Sequence, residues 1–271
     1  MAVIVGNALL LSAIDARTAV ATPSQDFVSQ AYVDILNRPV DPPSLDSFST
    51  ALDGGSLTRT QVALALAGSA EYRQIEVQAS YRDLLHREAG PADLTTGLSV
   101  LGSGDTLEQL QAILLGSPEC LAIHGGTNDG WLDGVYADLL GRPLSPNERA
   151  ADDSLLATTT LAQFAAVLLS STEYRTDLID AIYVHYLHRH ADPLGLNSFM
   201  AELNAGVPDE TVIAQVVGSP EYFQNAQTVP EPSASALLAV GGLALLRRRR
   251  PDARGSEERP STTHSPACNT D

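Results

Sequence analysis

Three histidines lie close together at His185, His188 and His190, and imidazole is a common zinc ligand. Helical spacing turns His190 away from His185, which argues against one shared ion. His188 also falls at a recurring position that holds varied residues, as surface positions near a helix end do. The other residues at that position are Asn37, His86 and Gly141. We therefore assign no metal site to this histidine group.

Oxygen-bearing side chains offer a second kind of metal chemistry. Asp41 and the segment from Asn128 through Asp129 to Gly130 carry oxygens of the kind that calcium binds. Their spacing does not reproduce the calcium loop of an EF-hand. We assign no cofactor, and calcium is kept only as the ligand of an alternative function.

Sequence motifs of common enzymes are absent from the chain. It has no glycine-rich phosphate loop, no Gly-x-Ser-x-Gly turn and no His-Glu-x-x-His motif. The acidic residues are spread over helix faces and do not form an obvious pair of general acid and general base. We therefore predict a protein that is not an enzyme.

The charge of the chain excludes one class of partner. Residues 22–228 contain 27 acidic residues against 9 Arg, and the whole 271-residue chain has no Lys. Such a surface repels phosphate backbones, so nucleic acid is not an expected partner. The two cysteines, Cys120 and Cys268, have neither metal-motif nor disulfide-framework spacing.

An internal repeat organises the sequence between the two ends. Four segments share Tyr, then Leu four residues later, Arg six later and Pro ten later. The tyrosines are Tyr32, Tyr81, Tyr136 and Tyr183, and the arginines are Arg38, Arg87, Arg142 and Arg189. A second signature follows each segment as GSAEY, GSPEC, SSTEY or GSPEY. The spacings of 49, 55 and 47 residues between tyrosines indicate a repeat architecture.

Each repeat has the pattern of several helices. Apolar residues recur at helical spacing, as at Phe27, Ala31 and Ile35. A residue with N-cap preference precedes each shared Pro, and the Ser and Glu of the second signature suit the first turn of another helix. We predict an all-α fold with an apolar helix near the C-terminus and four tandemly packed helical repeats. The repeats are 26–74, 75–124, 127–176 and 177–226.

We interpret the recurring Tyr and Arg as structural residues. The Tyr lies on the helix side that carries the Leu, and we expect it to be buried. An Arg at a helix C-terminus can satisfy carbonyl groups and pair with the Glu of the second signature. The alternative interpretation of the recurring charges is a binding rim.

The repeat pattern resembles a known family. Tyr-x-Asp-Leu-Leu-x-Arg, Asp-Pro-x-Gly-Leu and Gly-Ser-Pro-Glu-Tyr are similar to the motifs of the domain of unknown function 4214 family, over residues 26–226. The first and fourth repeats match best, whereas Cys120 replaces the second Tyr in repeat two. The resemblance implies a helical repeat in a secreted bacterial protein, similar in pattern to phycobilisome linker domains. It implies no catalytic residue.

The N-terminus has the features of a secretory signal peptide. An apolar run at 3–14 is followed by Ala19-Val20-Ala21, which suits cleavage after Ala21. We assign 1–21 to this peptide, although no basic residue precedes the apolar run. A buried N-terminal helix is the alternative.

The C-terminus resembles the PEP-CTERM sorting signal of Gram-negative envelope proteins. The motif at 229–250 comprises Val229, Pro230, Glu231 and Pro232, an apolar run at 234–246, and Arg247, Arg248, Arg249 and Arg250. The resemblance implies transient inner-membrane insertion, cleavage by an exosortase and export to the cell envelope or medium. The polar tail at 251–271, predicted to be disordered, departs from the family pattern. A short membrane anchor is the alternative.

These features predict a non-enzymatic, exported protein of the cell envelope or extracellular matrix. Its expected partners are the exosortase and export machinery, and a protein or polysaccharide that contacts the helical repeats. The alternative function is a surface module that binds calcium or carbohydrate.

Overall fold

The computed structural model describes residues 21–228, and every regular element in that range is an α-helix. The all-α prediction is therefore confirmed for this part of the chain. The apolar helix, the sorting motif and the polar tail lie outside the described residues, as does all but the last residue of the predicted signal peptide. Among residues 21–228, no helix has the length and hydropathy that crossing a membrane requires.

The described range contains fourteen helices in a recurring order of long, medium and short. They are α1 (Pro23–Leu36), α2 (Pro42–Asp53), α3 (Arg59–Ala67), α4 (Ala70–Leu85), α5 (Pro91–Gly102), α6 (Leu107–Leu115), α7 (Pro118–Ile123), α8 (Asn128–Leu140), α9 (Pro146–Leu156), α10 (Leu161–Leu169), α11 (Thr172–Leu187), α12 (Pro193–Asn204), α13 (Asp209–Val217) and α14 (Pro220–Ala226).

Local capping residues determine where the second helix of each group begins. Asp41 accepts a hydrogen bond from the Ser44 amide at 3.0 Å, and a proline occupies the first helical position. Gly90 has no side chain to cap α5, and Asp93 compensates by accepting from the Gly90 amide at 2.9 Å. These caps are the residues predicted from the sequence. The set is Asp41, Gly90, Ser145 and Asp192.

The Ser-x-Glu of the second signature starts a helix, which either continues into the next Tyr-bearing segment or is broken before it. In α4 and α11 the helix continues without interruption into the Tyr-bearing segment of the next group. Between α7 and α8 it is broken, where Gly125 and Gly126 adopt φ angles of +88° and +74°. Left-handed backbone of this kind is readily adopted by glycine and ends a helix.

The four long Tyr-bearing helices end in the same left-handed C-cap. The φ angles are 54° at Asn37, 53° at His86, 61° at Gly141 and 56° at His188. Gly and Asn suit this conformation best, so the position is conformationally restricted. The position lies at a helix end and is exposed at His86, Gly141 and His188, as predicted for a surface position, and its left-handed backbone is a further restriction that the varied residues did not reveal.

The core connects helices that are far apart in sequence. The short helix α3 packs against α13, and α6 packs against α10. Phe27 of α1 contacts Tyr222 of α14 with their ring centroids 5.9 Å apart. Gly218 lies so close to Thr60 that a Cβ on it would overlap Thr60. A Cβ on Gly116 would likewise overlap Ala162. The first and last helices thus close on each other, instead of contacting only their sequence neighbours.

Candidate metal centre

The four recurring arginines each hold a glutamate from the start of a later helix. Arg142 donates from Nε and Nη2 to Glu173 Oε1 and Oε2 at 2.5 and 2.7 Å. Each guanidinium also donates to the carbonyl oxygen of the residue that follows it, at 3.0–3.2 Å. We call these bidentate pairs the arginine braces. They are Arg38–Glu71, Arg87–Glu119, Arg142–Glu173 and Arg189–Glu221.

The arginine braces lie over the recurring tyrosines. The distance from the guanidinium carbon to the ring centroid is 5.0–5.1 Å in all four cases, within the range of a cation–π contact. Each tyrosine is buried, with at most 7% of its surface exposed. The pairs are Arg38–Tyr32, Arg87–Tyr81, Arg142–Tyr136 and Arg189–Tyr183.

Arginines of the braces lower the pKa of several glutamates that they contact. The Arg142 guanidinium lowers the pKa of Glu148 to about 2, and hydrogen bonds from Ser145 act in the same direction. Hydrogen bonds from Arg87 and Arg189 likewise lower the pKa of Glu119 and of Glu221. Glu119 and Glu221 therefore remain negatively charged below neutral pH, which keeps their braces intact.

The histidines at the end of α11 do not form a common site. His185 Nε2 lies 3.2 Å from the backbone oxygen of Asp34, whereas His190 Nδ1 lies 2.7 Å from Asp180 Oδ2. His188 is the left-handed cap of α11.

The calcium candidates are also engaged separately. One carboxylate oxygen of Asp41 caps α2, and the other lies 3.7 Å from Arg38 Nη1. Asn128, Asp129 and Gly130 form the first turn of α8, where Asp129 lies 3.8 Å from Arg149. Asp41 is therefore a helix cap, and Asn128, Asp129 and Gly130 are helical residues.

A different set of residues converges in the way that a metal site requires. His86, His124 and Asp138 place one ligand atom each within 4.8 Å of one another, and no other such trio occurs within residues 21–228. Asp138 Oδ2 lies 3.2 Å from His124 Nε2 and 3.5 Å from His86 Nε2. The two imidazole rings meet edge to face, with centroids 6.2 Å apart. Two imidazoles and a carboxylate are a common ligand set for divalent transition metals.

Three separate elements position this trio. His86 is the left-handed cap of α4, His124 caps the end of α7, and Asp138 projects from the last two turns of α8. Thr127 starts α8 by accepting a hydrogen bond from the Gly130 amide. The break between α7 and α8 therefore allows the chain to bring His124 back against α8.

Two glycines in α8 make room for His124. A Cβ on Gly134 would overlap the His124 ring, and a Cβ on Gly130 would overlap its carbonyl oxygen. The equivalent of Gly134 in the other Tyr-bearing helices is Gln30, Ala79 or Ala181. Glycine inside a helix costs about 0.5–1 kcal/mol relative to alanine. The sequence of α8 thus accommodates the His124 ring at the expense of intrinsic helix stability.

The trio was missed by sequence reasoning for a specific reason. His86 belongs to the repeat pattern, but His124 lies in the segment that lengthens the spacing between the second and third tyrosines to 55 residues. Asp138 matched a recurring Asp that also includes Asp34 and Asp83. The two departures from the pattern, Cys120 in place of Tyr and His124 four residues later, were the available signal.

The structure of the predicted sorting residues is not described. Val229, Pro230, Glu231 and Pro232 lie beyond the described residues, and so do Arg247, Arg248, Arg249 and Arg250.

Comparison with protein families adds one finding. Residues 7–75 match the model of the family described as Domain of unknown function (DUF4214). This match supports the family resemblance for the first repeat, and it starts within the segment assigned to a signal peptide. No curated protein and no solved structure matches the chain.

Proposed function

We propose that this protein is an exported, non-enzymatic scaffold of the bacterial cell envelope or extracellular matrix, built from four tandem helical repeats. The DUF4214 match over residues 7–75 supports the family assignment of the first repeat. The recurrence of the Tyr and Arg positions extends the same interpretation to the other three.

The observation that carries the proposal is the fourfold recurrence of the arginine brace. In each brace the guanidinium contacts a glutamate, a backbone carbonyl and a tyrosine ring. A side chain engaged in this way holds helices together and has little hydrogen-bonding capacity left for a substrate. The most regular charged pattern of the sequence therefore favours architecture over catalysis.

The charge of the surface indicates what kind of partner suits such a scaffold. Residues 22–228 carry 27 acidic residues and 9 Arg, so like-charged polymers are repelled. We propose a protein or polysaccharide of the matrix as the partner.

Sorting is the second part of the proposal. The order of Val229–Pro232, the apolar run at 234–246 and Arg247–Arg250 suits transient insertion into the inner membrane followed by exosortase cleavage. The 13-residue apolar run extends about 20 Å as a helix, less than the roughly 30 Å of a hydrocarbon core. Retention as a permanent single span is therefore the less favourable arrangement.

Intact-mass analysis of the protein from its native host tests sorting. We expect the mature protein in the envelope or medium, ending near Pro232 and lacking Arg247–Arg250. A variant with Glu231→Ala should accumulate uncleaved in the membrane fraction. A mature wild-type form that keeps Arg247–Arg250, or a cytoplasmic location, would contradict the proposal.

Complementation of a deletion strain tests the scaffold role. Purified mature protein added to the matrix should restore its cohesion only in amounts comparable to those of the native protein, because a scaffold acts stoichiometrically. Restoration by a trace amount would identify a catalyst instead.

A further inference from the structure

We propose that His86, His124 and Asp138 bind one zinc ion and leave a coordination position open to water. The site lies at the break between α7 and α8 and also contacts the end of α4. It is independent of the proposed scaffold role, because the arginine braces do not contribute to it.

The two distances from the carboxylate to the imidazoles suit tetrahedral zinc. Zinc–nitrogen and zinc–oxygen distances of about 2.0–2.1 Å place tetrahedral ligand atoms about 3.3 Å from each other. The two distances from Asp138 Oδ2, 3.2 Å to His124 Nε2 and 3.5 Å to His86 Nε2, bracket that value. Octahedral coordination at similar bond lengths needs adjacent ligands only about 3.0 Å apart.

The ligand types select zinc over calcium. Calcium takes six or more oxygen ligands, whereas this trio offers two imidazole nitrogens and one carboxylate. Three protein ligands are fewer than the four of a closed structural zinc site. The His86 side chain is 45% exposed, so solvent reaches this part of the trio.

The buried imidazole provides independent support. The His124 side chain is only 10% exposed, and its Nε2 has no hydrogen bond within the described part of the chain. A buried polar atom without a hydrogen bond is unfavourable, so the folded chain gains from a ligand at this atom. Metal coordination would supply that ligand, because Nε2 points toward the carboxylate and the second imidazole.

A corresponding place in the fold carries a tyrosine instead of the histidine. At the contact between α14 and α1, Tyr222 donates to Asp34 Oδ2 at 2.7 Å, and Ala226 stands at the position of His124. In the α7–α8 region Cys120 replaces Tyr222, so no hydroxyl reaches Asp138 from that position. His124 and Gly134 together occupy the space next to the carboxylate. The fold thus places a tyrosine hydroxyl beside Asp34 and a histidine ring beside Asp138.

The first experiment uses the full chain, stripped of metal with a chelator and titrated with zinc. We expect calorimetry to show one zinc site per chain. The thermal midpoint should be about 5–10 °C higher at a free zinc concentration roughly 100 times Kd. Affinity should fall on acidification, because protons compete with zinc for the ligand atoms. Cobalt loading should give the intense visible bands of a tetrahedral site.

Matched variants assign the site. His86→Asn keeps a residue suited to the left-handed cap, since Asn37 already occupies the equivalent position. It should weaken zinc binding strongly, and Asp138→Asn should do the same. His188→Asn makes the same change at the cap of α11 and should leave zinc binding unaltered.

A third variant tests the role of the space around His124. Gly134→Ala keeps all three ligands and improves helix propensity, yet its Cβ would displace the His124 ring. We expect zinc affinity to fall by about 10–100-fold, the range seen when residues that orient ligands are changed. Circular dichroism should show that the helical fold is retained.

Three results would overturn the proposal. The first is a chelator-stripped chain that binds no zinc. The second is binding that His86→Asn and Asp138→Asn leave unchanged, because zinc would then be held elsewhere, for example by His264 and Cys268 outside the described residues. An effect of His188→Asn equal to that of His86→Asn would likewise assign the loss to cap geometry and not to coordination.

Discussion

The α7–α8 and α14–α1 regions are built from corresponding sequence positions but treat their central carboxylate differently. At α14–α1 the Tyr222 hydroxyl donates to Asp34, whose pKa is raised by burial and partly restored by that hydrogen bond. At α7–α8 the residue in place of Tyr222 is Cys120, and His124 approaches Asp138 instead. Two replacements, Cys120 for Tyr222 and His124 for Ala226, therefore put an imidazole beside the carboxylate where the other region has a hydroxyl.

The two regions also conserve volume in different ways. Phe27 packs edge to face on Tyr222 in the first region. In the second, the smaller Cys120 is accompanied by the larger Trp131, which is fully buried. Burial raises the pKa of the Cys120 thiol to about 11, so this cysteine acts as a small apolar side chain. Close packing explains why the two replacements occur together.

Removing the larger aromatic ring should have the largest effect. Trp131 donates from Nε1 to the Leu115 carbonyl at 2.8 Å and packs on Phe164 with centroids 5.7 Å apart. We expect Trp131→Ala to destabilise the fold by about 3–5 kcal/mol, and more than Phe27→Ala, since it also removes a buried hydrogen bond. Urea denaturation of both variants measures this. A larger effect at Phe27 would reverse our comparison of the two regions.

A third version of the same position provides the next test. Glu76 of α4 is buried where Phe27 and Trp131 stand in their helices, and its Oε1 has no hydrogen bond within residues 21–228. Burial raises the pKa of Glu76 to about 7, against a hydrogen bond from Tyr72 that lowers it. The repulsion of Glu210 acts in the same direction as burial.

The sign of the pH effect follows from that pKa. Between about pH 4.5 and pH 7 the folded chain holds a proton on Glu76 that the unfolded chain has lost, so stability falls as pH rises through this window. We expect Glu76→Gln to abolish the fall and to be more stable than the wild type by about 2–3 kcal/mol above pH 7. Denaturation at pH 5 and pH 8 compares the two proteins. Equal pH dependence would mean that Glu76 ionises freely.

The control for this prediction is a carboxylate whose pKa is shifted the other way. Arg142 lowers the pKa of Glu148 to about 2, so its stabilising contribution is present above about pH 4.5 and is lost as pH falls toward 2. Glu148→Gln should therefore leave the window between pH 5 and pH 8 unchanged.

The local features of the fold were predictable because they depend on residues close in sequence. Asp41 and Ser69 were recognised as N-caps, and the buried Tyr136 followed from helical spacing. The pairing of Arg142 with Glu173 was accessible because both residues recur at fixed positions. Each of these inferences needs only one repeat.

The features that were missed require knowledge of how separate helices meet. The packing of α3 on α13 joins residues about 150 positions apart, which no periodicity encodes. The left-handed φ of His86 could not be predicted because two of the four residues at that position are histidines. Histidine does not indicate a left-handed cap in the way that glycine does. His124 becomes meaningful only once α7 turns back against α8.

Exchanging the small and large residues sharpens the volume argument. Cys120→Tyr alone should overpack the α7–α8 region and cost about 1–3 kcal/mol. Trp131→Phe alone should leave a void. The double variant reproduces at positions 131 and 120 the residue pair that Phe27 and Tyr222 form. Its destabilisation should therefore be smaller than the sum of the two single-variant values by about 0.5–1 kcal/mol or more. Strict additivity in a double-mutant cycle would show that the two positions are independent.

Removal of single hydroxyl groups is the smallest and most specific test. Tyr222→Phe removes the hydrogen bond to Asp34 Oδ2 and leaves that oxygen without its 2.7 Å donor, while Gln30 still donates to Oδ1 at 2.8 Å. We expect a loss of about 1–2 kcal/mol and a further rise of the Asp34 pKa, because burial is then less opposed.

Tyr186→Phe is the matched control for that change. Its ring is as buried as that of Tyr222, but its hydroxyl has no hydrogen-bond partner among the described residues. Deleting an unpaired buried hydroxyl removes a desolvation penalty and no bond, so the variant should be neutral or slightly more stable. Urea midpoints at pH 7, with the pKa of Asp34 followed by NMR, separate the two variants. Equal losses would mean that the rings alone matter, and the α14–α1 region would then owe its closure to packing and not to the carboxylate.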